Sequence, residues 1–137
     1  MTGQFELTLL NRRAEVARAQ DALEAFAASH SVAQTPLHAL QLALEEHLTN
    51  ILNHAYQDDL EHRILVRLRF QGSELRIDIE DDGSPFNPLN HPAPDLSQPF
   101  EERPIGGLGI HMMRKSVDEI EYRREGDKNV LTMVKTL

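Results

Sequence analysis

The feature that most constrains the fold is a run of apolar side chains that recur every three or four positions between residues 36 and 56. This spacing follows the period of an α-helix, so the run predicts an amphipathic helix. Its start is indicated by Thr35 and Pro36, a cap residue followed by a proline at the first helical position. The apolar stripe consists of Leu37, Leu40, Leu44, Leu48, Ile51 and Ala55. We therefore expect the helix to lie against the core along that stripe.

The same helix carries a second stripe that is polar. Glu46, Asn50 and His54 are each four residues apart and therefore project from one side of the helix. A carboxylate there can accept a proton and a carboxamide oxygen can ligate a hard cation, so the two groups can meet one ligand. The small residues Ala39 and Ala43 share or border this stripe and would allow a close approach. The alternative is a solvated helix face, which the E-x-x-x-N spacing alone favours.

The remaining patterns predict a sheet as the second layer. Alternating apolar residues indicate an opening strand, then two strands joined by a turn at Gly72-Ser73, and finally a closing hairpin. The predicted strands are residues 5–10, 63–71, 74–80, 119–124 and 129–136, and the other predicted helices are residues 13–30, capped by Asn11, and 110–117. We therefore expect an α/β fold, an α+β two-layer sandwich whose mixed, largely antiparallel sheet is covered on one face by helices.

Composition limits the classes of function. The 137 residues fit one domain, residues 1–137, and include 14 basic and 22 acidic side chains, giving a formal net charge of −8. Nucleic acid is not expected as a partner, because phosphate backbones are bound by Lys and Arg. Apolar runs are too short for a membrane span, and the absence of cysteine excludes disulfides and thiolate metal sites. The expectation is a cytoplasmic enzyme or binding module.

The seven histidines do not indicate a zinc site. No two of them have the H-E-x-x-H spacing or another zinc-binding spacing. His47 and His54 are therefore interpreted as packing or supporting residues.

A short acidic motif follows the predicted strand 74–80. In Asp81-Asp82-Gly83, a carboxylate at the end of a strand can accept a hydrogen bond from an exocyclic amine, and the glycine lets a ligand approach. The alternative is an ordinary Asp-Gly turn, which the motif by itself favours.

A glycine-rich motif follows the long irregular segment 85–104, whose length is typical of a lid or a disordered stretch. Gly106-Gly107-Leu108-Gly109 leads into a predicted helix, and the free N–H groups at the start of a helix bind phosphate. The motif is neither a Walker A sequence nor a dinucleotide-binding fingerprint. A flexible hinge is the alternative interpretation.

The order of these motifs resembles that of a known family. Residues 45–56 (EEHLTNILNHAY), 80–88 (EDDGSPFNP) and 106–111 (GGLGIH) resemble the N, G1 and G2 boxes of the GHKL nucleotide-binding group. That group includes histidine kinases and gyrase-type enzymes, and the strongest likeness is to the bacterial anti-sigma factor serine kinases. The resemblance extends over nearly the whole chain and implies a Bergerat-type ATP-binding fold.

The resemblance also implies roles for individual residues. Asn50 would hold Mg²⁺ together with ATP phosphates and waters, and Glu46 would be the general base that takes a proton from an attacking hydroxyl. Asp81 would bind the adenine amino group, with Gly83 leaving room for the base. The other nucleotide-contacting positions would be Asn53, Phe86, Ile105, Gly106, Gly107, Leu108, Gly109, Ile110 and His111, with backbone N–H groups from 107 to 111 cradling the phosphates. Positions 128 and 129, where many relatives have a Gly-Thr pair beside the adenine, are left unassigned.

Three functions are consistent with such a domain. The first is an Mg²⁺-ATP-dependent serine/threonine protein kinase of the anti-sigma factor type, which phosphorylates a small antagonist protein and could sequester a sigma factor. The second is a switch that binds ATP only to set its affinity for a protein partner. The third, the catalytic half of a histidine kinase, is disfavoured because the first strand begins near Phe5. The presence of both Glu46 and Asn50 favours the kinase, and the first helix and strand are expected to be free to form a homodimer.

Overall fold

The alternating segments of the sequence form the strands of one sheet. The computed structural model describes residues 2–90 and 107–137. The strands are β1 (Thr2–Leu10), β2 (Arg63–Gln71), β3 (Glu74–Asp81), β4 (Glu119–Glu125) and β5 (Lys128–Thr136). Their order across the sheet is β1-β2-β3-β5-β4, and each neighbouring pair is antiparallel. The predicted strands are all present, and β3 extends one residue further than predicted, so that Asp81 is its last residue.

In the described part of the chain, three helices accompany the sheet. They are α1 (Ala14–Ser29), α2 (Gln34–His54) and α3 (Gly107–Ser116), and a 3-10 turn spans Pro88–Asn90. The helix α2 is the longest at 21 residues. Within the two described ranges, no helix is both long enough and apolar enough to cross a membrane.

The two predicted helix caps are wrong. Asn11 does not cap α1: its side chain donates to the Leu60 carbonyl at 3.2 Å and accepts from the His62 N–H at 2.9 Å. These long-range bonds use the groups that a cap would need. The helix α2 begins at Gln34, so Thr35 lies inside its first turn and not at the cap position.

The core lies between the helices and one face of the sheet. Every member of the apolar stripe predicted on α2 is buried, which confirms the orientation of that helix. The strands contribute alternate residues to this core, among them Leu9, Ile64, Val66, Leu68, Leu75, Ile77, Ile79, Leu131 and Met133. Tight turns at Gly72 and Gly126, with φ of 61° and 60°, join the strands of the two hairpins. Both turns need the left-handed backbone that glycine adopts most easily.

The opposite face of the sheet is polar. Asp78 on β3 is 4% exposed and accepts hydrogen bonds from Thr132 Oγ1 at 2.5 Å and from an Arg69 guanidinium nitrogen at 2.6 Å. A buried carboxylate needs such partners, because an unpaired charge away from water is costly. The sheet therefore presents an apolar side to the helices, and its other side carries paired charges around Asp78.

Candidate functional site

The first part of the site lies where β3 ends and β5 begins. Asp81 and Asn129 are paired across these strands, and only 3% and 5% of their surfaces are exposed. Asp81 Oδ1 accepts from the Gly83 N–H at 2.9 Å and from Asn129 Nδ2 at 3.0 Å. Burial raises the pKa of the Asp81 carboxyl, and the two hydrogen bonds oppose that rise. The two hydrogen bonds together hold the buried Asp81 carboxyl at the end of β3, the position that the Asp-Gly motif predicts for a ligand-binding carboxylate.

Asn129 also bonds groups on β4 and in the loop after β3. Its Oδ1 accepts from the Tyr122 hydroxyl at 2.5 Å and from Arg124 at 3.2 Å, and its Nδ2 donates to the Ser84 carbonyl at 2.9 Å. Sequence reasoning left this residue unassigned. The only signal was that position 129 departs from the Gly-Thr pair of many relatives.

The Asp-Gly motif packs directly on the end of α2. A Cβ on Gly83 would lie 2.5 Å from Ala55 Cβ and 2.6 Å from the Ala55 carbonyl oxygen, so a side chain has no room there. The Ser84 N–H donates to the same carbonyl at 2.8 Å. The Phe86 ring stacks on His54 with ring centroids 5.8 Å apart. The loop after Asp81 is thus attached to the last turn of α2.

The second part of the site lies where α3 begins. The helix starts at Gly107 and not at Ile110 as predicted, so the last three residues of the glycine motif form its first turn. A Cβ on Gly109 would overlap the Glu46 carboxylate, so glycine permits this close approach between α3 and α2. The first N–H groups of a helix have no partner within it and carry partial positive charge, so they can bind an anion.

Glu46 is half-buried between the two helices. Burial, and then repulsion from the neighbouring Glu45, raise the pKa of its carboxyl. A carboxylate with a raised pKa accepts a proton more readily than an exposed one, which is the property a general base requires.

Asn50 lies on α2 between Glu46 and the C-cap residue Ala55, two residues that contact the two parts of the site. It is 5% exposed, and its Nδ2 has no hydrogen-bond partner among the described residues. Along α2 it follows Glu46 by one turn and precedes Ala55, and the distance from Glu46 to Ala55 along the helix axis is about 14 Å. Along α2, Glu46 contacts α3 at Gly109, Ala55 contacts the loop after Asp81 at Gly83, and Asn50 lies between these two positions in the helix.

The donor set around Asn50 limits what kind of cation could bind. Within residues 2–90 and 107–137 there is no group of three or more His, Cys, Asp or Glu side chains that could hold a metal ion. Mg²⁺ in nucleotide sites keeps several waters and binds phosphate oxygens, and so needs few protein ligands. A single amide oxygen from Asn50 is therefore enough for a cation whose other ligands are phosphate oxygens and waters. It is not enough for a cation bound by protein ligands alone.

Not every residue predicted to contact a nucleotide lies at these two parts of the site. Asn53 is exposed and its Oδ1 accepts from Arg13 at 3.0 Å, which ties it to the start of α1. Its contact with a nucleotide stays a prediction. Ile110 is buried and His111 half-buried on α3. Ile105, Gly106 and the side chain of Leu108 lie outside the described part of the chain.

A stacked pair of rings lies beside the Asp-Gly motif and was missed by sequence reasoning. The Tyr56 and His62 rings are 4.1 Å apart and nearly parallel. His62 Nε2 lies 2.7 Å from Asp58 and its Nδ1 lies 3.2 Å from Asp82. The hydrogen bond with Asp58 is the main cause of the raised pKa of His62. Tyr56, Asp58 and His62 lie in the connection between α2 and β2, where the sequence has no recognised pattern, so no spacing indicated this pair.

The fold and these motifs are those of a known class of nucleotide-binding domain. The chain belongs to the histidine kinase-like ATPase domain family, whose model matches residues 9–135. The resemblance to GHKL domains is thereby confirmed.

Similar proteins include two named protein kinases. The serine/threonine-protein kinase BtrW of Bordetella bronchiseptica is 30% identical over 94 residues, which are 69% of this chain and 66% of that protein. The serine-protein kinase RsbW of Bacillus cereus is 30% identical over 96 residues, which are 67% of this chain and 59% of that protein. The chain thus spans a little less than two thirds of the length of these relatives.

Solved structures share the fold. The RsbU and RsbW domains of a Mycobacterium tuberculosis protein superpose with a TM-score of 0.68 at 14% identity, covering 98% of this chain and 32% of that one. The histidine kinase domain of a blue-light-activated histidine kinase from Erythrobacter litoralis gives a TM-score of 0.56 at 19% identity, covering 90% and 60%. These matches confirm the predicted α/β sandwich and carry no residue roles.

Proposed function

We propose that this chain is a single ATP-binding domain of the anti-sigma factor type that transfers phosphate to a serine or threonine of a small antagonist protein. The observation that carries this proposal is the position of Glu46. Its carboxylate has a raised pKa, touches the first turn of α3 at Gly109 and lies one helical turn from Asn50. The relatives named as serine/threonine and serine-protein kinases support the same class of reaction.

The proposed chemistry follows from the order of groups along α2. Asp81 accepts a hydrogen bond from the adenine amino group, and the N–H groups at the start of α3 hold the phosphates. Asn50 would bind Mg²⁺, which when present neutralises charge on the phosphates. Glu46 accepts the proton of the substrate hydroxyl as its oxygen bonds to the γ-phosphorus. The bond from that phosphorus to the bridging oxygen breaks, and ADP leaves.

The partner is proposed by class alone. The proposed chemistry requires a substrate that presents a serine or threonine hydroxyl, and the likeness to anti-sigma factor kinases suggests that this substrate is a small antagonist protein. A sigma factor is a second proposed partner, and cytoplasmic location follows from both. The homodimer through α1 and β1 also stays a proposal.

The test measures binding and transfer separately. Calorimetry with Mg²⁺-ATP should show binding by the wild-type chain and by Glu46→Gln, since the amide keeps the shape of the site. Transfer is followed by adding each protein and γ-labelled ATP to a lysate of the native host that lacks this chain, and by identifying phosphoserine and phosphothreonine by mass spectrometry. Glu46→Gln should lower that transfer by about 100-fold or more, the usual effect of losing a general base.

A matched control and three outcomes make the test decisive. Glu74→Gln alters an exposed carboxylate at the far end of β3 from Asp81 and should leave transfer unchanged. Equal transfer by wild type and Glu46→Gln would remove Glu46 as the base. Binding of ATP without transfer by the wild type would favour the switch, which uses ATP to set its affinity for a partner. Absence of ATP binding would refute the proposal as a whole.

A further inference from the structure

We propose that Asn129 is a positioning residue, which orients Asp81 toward the amino group of adenine and ties this contact to the segment that follows Gly83. The inference rests on the proposed function, in which Asp81 recognises adenine. It concerns a residue that is 5% exposed and to which the motifs assign no role.

The orientation of the Asn129 amide is fixed by its surroundings. Three donors face Oδ1: the Tyr122 hydroxyl at 2.5 Å, Arg124 at 3.2 Å and the Phe86 N–H at 3.4 Å. Three acceptors face Nδ2: Asp81 Oδ1 at 3.0 Å, the Ser84 carbonyl at 2.9 Å and the Gly83 carbonyl at 3.4 Å. If the amide were flipped, its NH2 group would face the three donors and its oxygen the three acceptors. Only the observed orientation therefore satisfies the surrounding hydrogen-bonding groups.

This orientation determines which oxygen of Asp81 is left for a ligand. Both hydrogen bonds to the carboxylate, from the Gly83 N–H and from Asn129, fall on Oδ1. Within residues 2–90 and 107–137, no donor reaches Oδ2. The carboxylate plane is thus held in advance with one oxygen free to accept from the amine, and the ligand does not have to order it.

The same side chain holds the loop that leaves the strand. Asn129 bonds the Ser84 carbonyl and the Phe86 N–H, while Arg124 donates to the Gly83 carbonyl at 2.8 Å. Asp81 and the start of the segment leading toward the glycine motif are therefore fixed through one amide. A change at position 129 disturbs the base contact and the loop together.

The experiment compares two nucleotides that differ by one group. Purine riboside 5′-triphosphate lacks the amine of ATP and is otherwise the same, so the ratio of their dissociation constants isolates the amine contact. Wild type should prefer ATP. Asn129→Asp keeps Oδ1 and its three donors but turns Nδ2 into an acceptor facing three acceptors. It should weaken ATP by about 10- to 100-fold, the range for a hydrogen bond to a charged group, and should bring the ratio close to one.

Two further variants protect the test against misfolding. Asn129→Ala removes the amide without adding charge and should also lower the ratio. Thr132→Val is the matched control, because Thr132 is equally buried on β5 and also bonds a carboxylate, that of Asp78, but on the opposite face of the sheet. It should cost stability and leave the preference for ATP unchanged.

The outcomes separate this inference from the proposed function. Equal weakening of both nucleotides by the Asn129 variants, or an unchanged ratio, overturns the positioning role while leaving ATP binding intact. A wild type that binds both nucleotides equally refutes adenine recognition by Asp81. A wild type that binds neither refutes the proposed function itself.

Discussion

Acid should destabilise this protein through His47, a buried side chain on α2. The residue is 4% exposed, its Nδ1 has no hydrogen-bond partner among the described residues, and burial lowers the pKa of its imidazole from 6.5 to about 4. The unfolded chain protonates this imidazole near pH 6.5 and the folded chain only near pH 4. Between those values the unfolded state binds more protons, so stability falls as pH falls. The stabilisation is complete above pH 6.5 and is lost by about pH 4.

The magnitude follows from the difference between the two pKa values. One pKa unit corresponds to about 1.4 kcal/mol, so the full loss is about 3 kcal/mol below pH 4 and about 2 kcal/mol at pH 5. A small domain has roughly 5–15 kcal/mol of stability in total, so this loss is large enough to measure.

The assay is urea unfolding followed by circular dichroism at pH 7.5 and pH 5.0, without nucleotide. Wild type should lose about 2 kcal/mol more than His47→Leu or His47→Gln between these pH values, because neither variant titrates there. His62 provides a control of opposite sign. Its pKa is raised, so its contribution is present at low pH and is lost as pH rises through the folded value. Equal pH dependence in wild type and both His47 variants would refute the reasoning.

Two glycine substitutions test the close contacts of the site. Gly83→Ala should cost about 1–3 kcal/mol in urea unfolding, because its Cβ would lie 2.6 Å from the backbone carbonyl of Ala55, and no loss would contradict the packing. Gly109→Ala should abolish phosphate transfer, because the added Cβ would displace the Glu46 carboxylate. The free energy of unfolding should fall little or rise slightly, since alanine favours a helix over glycine by up to about 1 kcal/mol. Unchanged phosphate transfer by Gly109→Ala would refute the role of Glu46 as the general base.

The sequence predicted those elements whose signal is a local repeat. The stripe on α2 and the alternation in β2 and β3 arise because each apolar residue meets the core at the period of its own element. The predicted start of α3, Ile110, is three residues later than the observed start, Gly107, because here the local signal and the packing disagree. Glycine has low helix propensity, so Gly107 and Gly109 indicated a turn. Packing of α3 on α2 outweighs that preference, as tertiary contacts commonly do for short helices.

The polar contacts of the site carry no local repeat and could not be predicted. Asn129 bonds Asp81 across 48 residues and Phe86 across 43, and these meetings depend on the register of β3 against β5. The local sequence predicts a cap at Asn11, but its side chain bonds residues about 50 positions away. The tendency of an asparagine to cap a nearby helix is not realised where residues distant in sequence bond its side-chain amide instead.

The acidic composition is compatible with an anionic ligand because of where the carboxylates lie. In the proposed site the phosphates meet backbone N–H groups at the start of α3 and a neutral amide at Asn50, so no basic cluster is needed. Asp81 lies at the end of β3, where its carboxylate is held by the Gly83 N–H and the Asn129 amide. In the proposed site Glu46 would lie near the phosphates, and there the partial positive charge of the helix start offsets its own. The proposed site thus assigns the base to a carboxylate at the end of β3 and the phosphates to N–H groups at the start of α3.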